Sequence, residues 1–199
     1  MQPYYHYLTE YQNMEPGYIS RHLDLPFDEN TRSFQVKFME KNYTVSYPDL
    51  EVHCLDGEDN QAVLCTDIHA KILLPRYFIE GDYMRATGHL LSYRDLPWGE
   101  VYYRQFYGRC IMRLARMFGN RPDTFKTVME GLKGISKDMA YEFQFLEGLN
   151  LCFVLWEGDD EFPLSAQILF SDNFPLAYAV EDVAYIGDAV LDYMKNVVL

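Results

Sequence analysis

The stretch YEFQFLEGLNLCFVLW, residues 141–156, decides the fold class of this 199-residue chain. In its first half, aromatic residues alternate with polar ones, which is the period of a strand with one apolar face. Its second half, residues 149–156, is an almost wholly apolar run, typical of a central strand buried on both faces. A further strand over 162–170 and a helix over 180–199 follow. These elements predict a sheet with a helix packed on it.

The same order of elements is predicted earlier in the chain. In residues 33–54, apolar and polar side chains alternate with the two-residue period of a β-strand, which predicts three short strands. Residues 61–79 return to a helical period, with Asn60 as the predicted N-cap. The segments 33–79 and 140–197 therefore both follow the order strand, strand, strand, helix. They are a candidate pseudo-repeat of two β-β-β-α halves.

The rest of the chain is predicted to be largely helical. Residues 1–26 show two amphipathic helices separated at Pro16. Residues 100–131 form a helical insert between the two halves, with one helix over 107–118 that ends at Gly119. We therefore predict a single α+β domain over the whole chain, a mostly antiparallel sheet with helices on one face.

Composition excludes several classes of protein. The chain has 17 Lys and Arg against 30 Asp and Glu, a formal net charge of −13 at pH 7. Nucleic-acid binding draws on phosphate neutralisation, so we expect no nucleic-acid partner. The same charge opposes docking on anionic membranes, and no apolar run approaches the length of a membrane span. The N-terminus resembles no export signal, which predicts a cytoplasmic protein with four reduced cysteines.

Two stretches carry a resemblance to a known family. They are WGEVYY at residues 98–103 and VLWEGDDEFP at residues 154–163, within which Trp-Glu-Gly-Asp-x-Glu-Phe-Pro is the most specific string. Together they resemble an uncharacterised prokaryotic domain-of-unknown-function family, mostly from anaerobes, for which metal binding has been suggested. The resemblance implies that some relatives are fused to iron–sulfur domains. This chain departs from those relatives because it has no cysteine cluster that could hold such a group.

An arginine-rich segment is the main candidate binding site. Residues 104–121 carry five arginines and no acidic residue, so this segment is +5 inside an acidic chain. Guanidinium groups bind carboxylate or phosphate through paired hydrogen bonds and stack on aromatic rings. We predict that a small anionic molecule binds at Arg109, Arg113, Arg116, Trp98, Tyr103 and Tyr107. The alternative is internal ion pairing with the carboxylates of the chain itself.

An acidic loop is the second candidate. Glu157, Asp159, Asp160 and Glu161 are four carboxylates within five residues, and oxygen ligands of this kind bind hard cations such as Mg²⁺ or Ca²⁺. Alternatively, two of them could act as a general acid and base. The competing interpretation is an ordinary solvated turn, since Gly and Asp are the residues expected there.

Cysteine and histidine give weaker signals. His53, Cys54, Cys65 and His69 offer Zn²⁺ ligand types but not the spacing of a zinc finger, so buried thiols and a surface histidine are the competing interpretation. Cys110 follows Arg109, and a neighbouring cation can lower the pKa of a thiol and make it reactive, but no histidine follows at a helpful position, so an unreactive thiol is the favoured interpretation.

Three functions remain open at this point. The first is a ligand-binding or accessory protein of anaerobic metabolism, and the second is a metal-dependent enzyme that uses residues 157–161. The third is an interaction module for a redox or cofactor-maturation protein. The cofactor is left unknown: the chain has no P-loop, GxGxxG, HExxH or GxSxG string, which argues against the common NTPases, dinucleotide enzymes, zinc proteases and α/β-hydrolases but not against enzymes without short motifs.

Overall fold

The computed structural model describes residues 3–56, 61–132, 134–137, 140–156, 158 and 164–198. These residues form an α+β fold with a mostly antiparallel sheet, as predicted. The chain divides into two compact units. The first comprises residues 1–84 with 176–178, and the second comprises residues 85–175 with 179–199.

The first unit begins with two helices and continues into a sheet. Its elements are α1 (Pro3–Asn13), α2 (Pro16–Leu23), β1 (Phe27–Asp28), β2 (Ser33–Phe38), β3 (Lys41–Ser46), β4 (Val52–Asp56), β5 (Gln61–Leu64) and α3 (Ile68–Glu80). The strand order is β5-β4-β3-β2, and β1 pairs with β2. Buried aromatic rings hold α1, β2 and α3 together, because Tyr11 and Phe34 both pack against Phe78, with ring centroids 6.3 and 5.3 Å away.

The second unit is built around the apolar strand that decided the fold class. Its elements are β6 (Leu90–Ser92), α4 (Gly99–Phe106), a π-helical segment (Tyr107–Ile111), α5 (Met112–Phe118), α6 (Pro122–Gly131), β7 (Ile135–Lys137), β8 (Ala140–Leu146), β9 (Leu149–Trp156), β10 (Ser165–Ser171), α7 (Phe174–Ala177), whose last two residues lie in the first unit, and α8 (Val180–Val198). The strand order is β8-β9-β10-β6, and β7 pairs with β8. Residues 151–155 of β9 are all buried, as predicted for a central strand.

Two predicted helices have different bounds in the structure. Residues 61–64 of the predicted helix 61–79 form strand β5, and helix α3 begins only at Ile68. Its N-cap is Asp67, whose carboxylate accepts hydrogen bonds from the main-chain N–H groups of His69 and Ala70. The predicted cap Asn60 lies outside the described residues. The predicted helix 107–118 in fact starts at Gly99 and passes through the π-helical segment.

The start of α4 depends on a close contact at Gly99. Trp98, the residue before it, has a left-handed backbone with φ of 63°. This turn brings Gly99 against the main chain of Tyr93, so that a Cβ on Gly99 would lie 1.8 Å from the Tyr93 carbonyl oxygen. Only glycine fits this position without moving the main chain.

We expect Gly99→Ala to lower the free energy of unfolding by about 2–3 kcal/mol, as overpacking against main chain does. Gly108→Ala is the matched control, because a Cβ at Gly108 meets no atom within 4 Å. That control should change stability by less than about 1 kcal/mol. Urea unfolding followed by circular dichroism measures both, and equal effects at the two glycines would contradict the assigned contact.

Candidate functional site

The second unit contains a cleft of about 340 Å³ between strand β10 and helix α4. A cleft of this volume is the size of site that takes a small molecule. Its lining residues are Ser92, Tyr93, Arg94, Tyr103, Phe106, Ile111, Trp156, Ala166, Gln167 and Ile168. Most of these residues are aromatic or aliphatic, but polar atoms make up the larger part of the surface that they expose to the cleft.

One wall of the cleft is an open strand edge. Strand β6 pairs only with residues 169–171 of β10, so β10 extends beyond the end of β6. The N–H of Asp172 donates to the carbonyl of His89, on the β6 side. Main-chain groups of alternate residues point to the same side of a strand, and the β9–β10 register is continuous from residue 165 to 170. The N–H and C=O groups of Ala166 and Ile168 therefore point to the β6 side of the strand, where Ile168 is buried and Ala166 is half-buried.

Arg94 provides the positive charge of the cleft. Its guanidinium carbon lies 3.9 Å from the centroid of the Tyr103 ring, in a cation–π contact. Its Nε lies 3.5 Å from a carboxylate oxygen of Glu100, and both side chains are more than half exposed. The stack on Tyr103 fixes the plane of the guanidinium, while the exposed ion pair with Glu100 is worth little in water.

A stacked ring pair forms the floor of the cleft. The rings of Tyr93 and Phe106 are nearly parallel, with centroids 4.0 Å apart. The hydroxyl of Tyr93 donates to the carbonyl of Val180 at 3.0 Å. Burial, together with the charge of Glu181, raises the pKa of Tyr93 to about 12. Tyr93 therefore stays neutral near pH 7 and serves as a rigid support.

The segment between β6 and α4 is held by local hydrogen bonds. The hydroxyl and N–H of Ser92 both donate to one carboxylate oxygen of Asp95, at 2.7 and 2.8 Å. These bonds hold the pKa of Asp95 below its usual range. They also end strand β6 at Ser92 and start a 3₁₀ turn over residues 93–95. This is why β10 loses its partner strand at the cleft.

The π-helical segment borders the same cleft through Ile111. Single-turn π segments within α-helices occur often at functional sites. Here the π segment joins α4, which carries Tyr103, to α5.

The cleft offers recognition groups of three kinds. The Arg94 guanidinium and the main-chain N–H of Ala166 can donate hydrogen bonds, and the amide of Gln167 can donate or accept. The rings of Tyr103 and Trp156 give flat apolar walls, and Trp156 is 37% exposed at the end of β9. This set suits a flat organic molecule that carries a negative charge.

The predicted arginine site is arranged differently. Arg109 donates to a carboxylate oxygen of Asp188, and Arg113 donates to Asp192. Arg113 also lies 3.8 Å from Asp188. These contacts to helix α8 are the internal ion pairing left open as the alternative. Arg116 is exposed, and its Nε donates to the carbonyl of Met112 in its own helix.

The predicted aromatic residues are only partly brought to the cleft. Tyr103 lines it, and Tyr107 lies next to Tyr103, with ring centroids 5.9 Å apart. Trp98 is 76% exposed at the start of α4 and does not line the cleft. Anion binding by the set Arg109, Arg113, Arg116, Trp98, Tyr103 and Tyr107 stays a prediction.

The predicted acidic metal site, Glu157, Asp159, Asp160 and Glu161, lies outside the described residues. Among the residues that the structure does describe, no three or more His, Cys, Asp or Glu side chains are grouped to hold a metal ion. The lowered pKa considered for Cys110 is not found. Burial, and then the charge of Asp188, raises the pKa of this thiol despite the neighbouring Arg109.

Sequence reasoning missed Arg94, Trp156 and Gln167 as residues of one site. Arg94 stands outside the arginine-rich segment, and Gln167 lies in a strand far along the chain. In the sequence, Trp156 belongs to the family string and nothing links it to a site. A usable signal was the polar Gln167 within the otherwise apolar run 166–170, since such a residue either faces solvent or lines a site.

Fold and site thus define an α+β protein with an aromatic-walled cleft that contains one arginine. The chain belongs to the family described as a domain of unknown function (DUF3786), whose model matches residues 15–193. This match confirms the predicted membership of an uncharacterised domain family. Comparisons with curated proteins and with solved structures found no match. In the described part of the chain, no helix has both the length and the apolar character needed to cross a bilayer.

The ion pairs on α8 predict a stability effect. Arg113→Gln should lower the free energy of unfolding by about 1–2 kcal/mol, between the values for exposed and buried pairs. The physical reason is that Asp188 and Asp192, one helical turn apart, then repel each other. Arg116→Gln is the control and should cost less than about 0.5 kcal/mol. Urea unfolding measures the stability of both variants. An equal loss of stability in the two would mean that the ion pairs with α8 do not stabilise the fold.

Proposed function

We propose that this protein binds a small, flat organic anion in the cleft between β10 and α4. The observation that carries the proposal is the guanidinium of Arg94, held over the Tyr103 ring beside an open strand edge. A positive charge fixed in an aromatic-walled cleft is a recognition element for a carboxylate or phosphate on a ring system.

Each part of the cleft has a distinct role in this binding. Arg94 supplies charge-assisted hydrogen bonds to the anionic group of the ligand. Tyr103 and Trp156 supply stacking surface for its ring. The main-chain N–H of Ala166 donates to a further oxygen atom. Because Ala166 belongs to a strand paired with β9 on its other side, this group is rigid before the ligand arrives.

Glu100 competes with the ligand for the same guanidinium. Its carboxylate lies 3.5 Å from Arg94 Nε and is 72% exposed, so it can turn into solvent when an anion binds. This competition makes the affinity depend on the charge at residue 100.

The wider role that we propose is that of an accessory protein in anaerobic metabolism, working with a redox or cofactor-maturation partner. Support for this role comes from the family resemblance alone. The cysteines Cys54, Cys65, Cys110 and Cys152 are all free thiols, which supports a reducing compartment such as the cytoplasm.

The binding proposal predicts selectivity for charge. 2-Naphthoate, a flat ring with one carboxylate, should bind at least about tenfold more tightly than its neutral amide, 2-naphthamide. A hydrogen bond to a charged group contributes about 1.5–3 kcal/mol, which corresponds to a factor of ten or more. Isothermal titration calorimetry with each compound measures the difference. Equal affinities would show that the cleft does not recognise the anionic group.

Two variants with opposite expected effects on affinity test whether 2-naphthoate binds in the cleft. Arg94→Gln should weaken 2-naphthoate binding by about tenfold or more. Glu100→Gln should strengthen it by a few fold, because it removes an exposed competitor worth up to about 1 kcal/mol. Arg116→Gln, an arginine away from the cleft, is the matched control and should leave the affinity unchanged. Loss of binding in Arg116→Gln but not in Arg94→Gln would move the site to the arginine-rich helix.

A further inference from the structure

Strand β5, residues 61–64, ends the sheet of the first unit. It pairs with β4 in the register Cys54 to Val63 and Leu55 to Ala62. In the strand order of the described residues, no strand lies on its other side. All four residues of β5 are exposed.

The hydrogen-bonding direction of each β5 residue follows from one contact. The N–H of Cys65 donates to the carbonyl of Val52, the residue at the start of β4, at 3.0 Å. Alternate residues point the same way, so the main chain of Val63 also faces β4. The N–H and C=O groups of Ala62 and Leu64 therefore point outward from the sheet.

This edge lacks the features that normally protect one. Edge strands in natural proteins carry charged side chains, proline or a bulge, which prevent pairing with another chain. Residues 61–64 are Gln, Ala, Val and Leu, with no charge and no proline. Val63 and Leu64 are 53% and 60% exposed, and on α3 nearby Ile68 and Ile72 are 58% and 37% exposed.

We infer that two copies of this chain pair through β5, antiparallel and centred on Val63. Ala62 of each copy then exchanges both main-chain hydrogen bonds with Leu64 of the other. The two Val63 side chains lie side by side at the two-fold axis. Ile68 and Ile72 extend the contact beyond the strands, since a strand pair alone is smaller than a stable interface.

A second copy fits this edge because of charge and symmetry. Each chain carries a formal net charge of −13, so two copies repel unless their contact surface is free of acidic side chains. Residues 61–65 keep acidic side chains out of the strand pair itself, and Asp56 and Asp67 lie beyond its ends. The outward groups of Ala62 and Leu64 offer one donor and one acceptor each, symmetric about Val63, as a two-fold contact between identical surfaces requires.

The oligomeric state of the full chain is the first test. Analytical ultracentrifugation across protein concentrations from about 1 to 200 μM should show a monomer–dimer equilibrium. A monomer over this whole range would overturn the inference, and the edge would then be left for a strand of a different protein.

Two substitutions test whether the dimer uses β5. Ala62→Pro removes an N–H that points outward and leaves the β4 hydrogen bonds in place, so it should raise the dimer dissociation constant at least tenfold. Val63→Lys places two ammonium groups side by side at the axis and should do the same. Val101→Lys is the control, because Val101 is equally apolar and 69% exposed on α4. Circular dichroism confirms that each variant is folded.

A disulfide tests the register itself. Opposed residues of a non-hydrogen-bonded antiparallel pair have Cα atoms about 4.5 Å apart, within the range that a disulfide spans. In a Cys54→Ser background, which removes the thiol opposite residue 63 on β4, Val63→Cys should therefore form a cross-linked dimer on mild oxidation, and Val101→Cys should not. A dimer that persists in Ala62→Pro and does not cross-link through Val63→Cys would overturn the pairing.

Discussion

The contact of Gly99 with the main chain of Tyr93 is the constraint on which the cleft of the second unit depends. It allows the chain to leave strand β6, turn through the left-handed residue Trp98 and begin helix α4 at once. Because the turn is this tight, Arg94 on one side of it and Tyr103 on the other come within stacking distance. The hydrogen bonds between Ser92 and Asp95 just before this turn end β6, which exposes the edge of β10. The steric condition at Gly99 thus places the charge and the ring beside that open edge.

The elements that could be predicted from the sequence are those whose apolar period reflects burial. Residues 149–156 and the alternating strand before them are examples, because their apolar side chains do face the core. Strand β5 was predicted as helix because Val63, Leu64, Ile68 and Ile72 have helical spacing. In the structure these four side chains are exposed. Their spacing therefore does not mark the buried face of one helix. The early start of α4 was missed because Trp98 gives it no side-chain cap.

The candidate site shows what short-range patterns cannot predict. Five arginines within residues 104–121 are a conspicuous pattern, but Arg109 and Arg113 are paired with Asp188 and Asp192 of α8. A matching signal was present, since the two aspartates are four residues apart, the same spacing as the two arginines. The cleft instead combines residues from separate parts of the chain. Their proximity depends on where β6 ends, and no local period of the sequence encodes that position.

Both proposed binding surfaces include the open edge of a β-strand. An antiparallel strand that extends beyond its neighbour leaves N–H and C=O groups that must find partners. At β10 the open edge is short and bordered by aromatic rings and an arginine, so it suits a small molecule that supplies oxygen acceptors. At β5 the open edge is exposed, apolar and uncharged, so it suits another strand with the same features. The side chains around an edge, rather than the edge itself, therefore decide whether it binds a ligand or a protein.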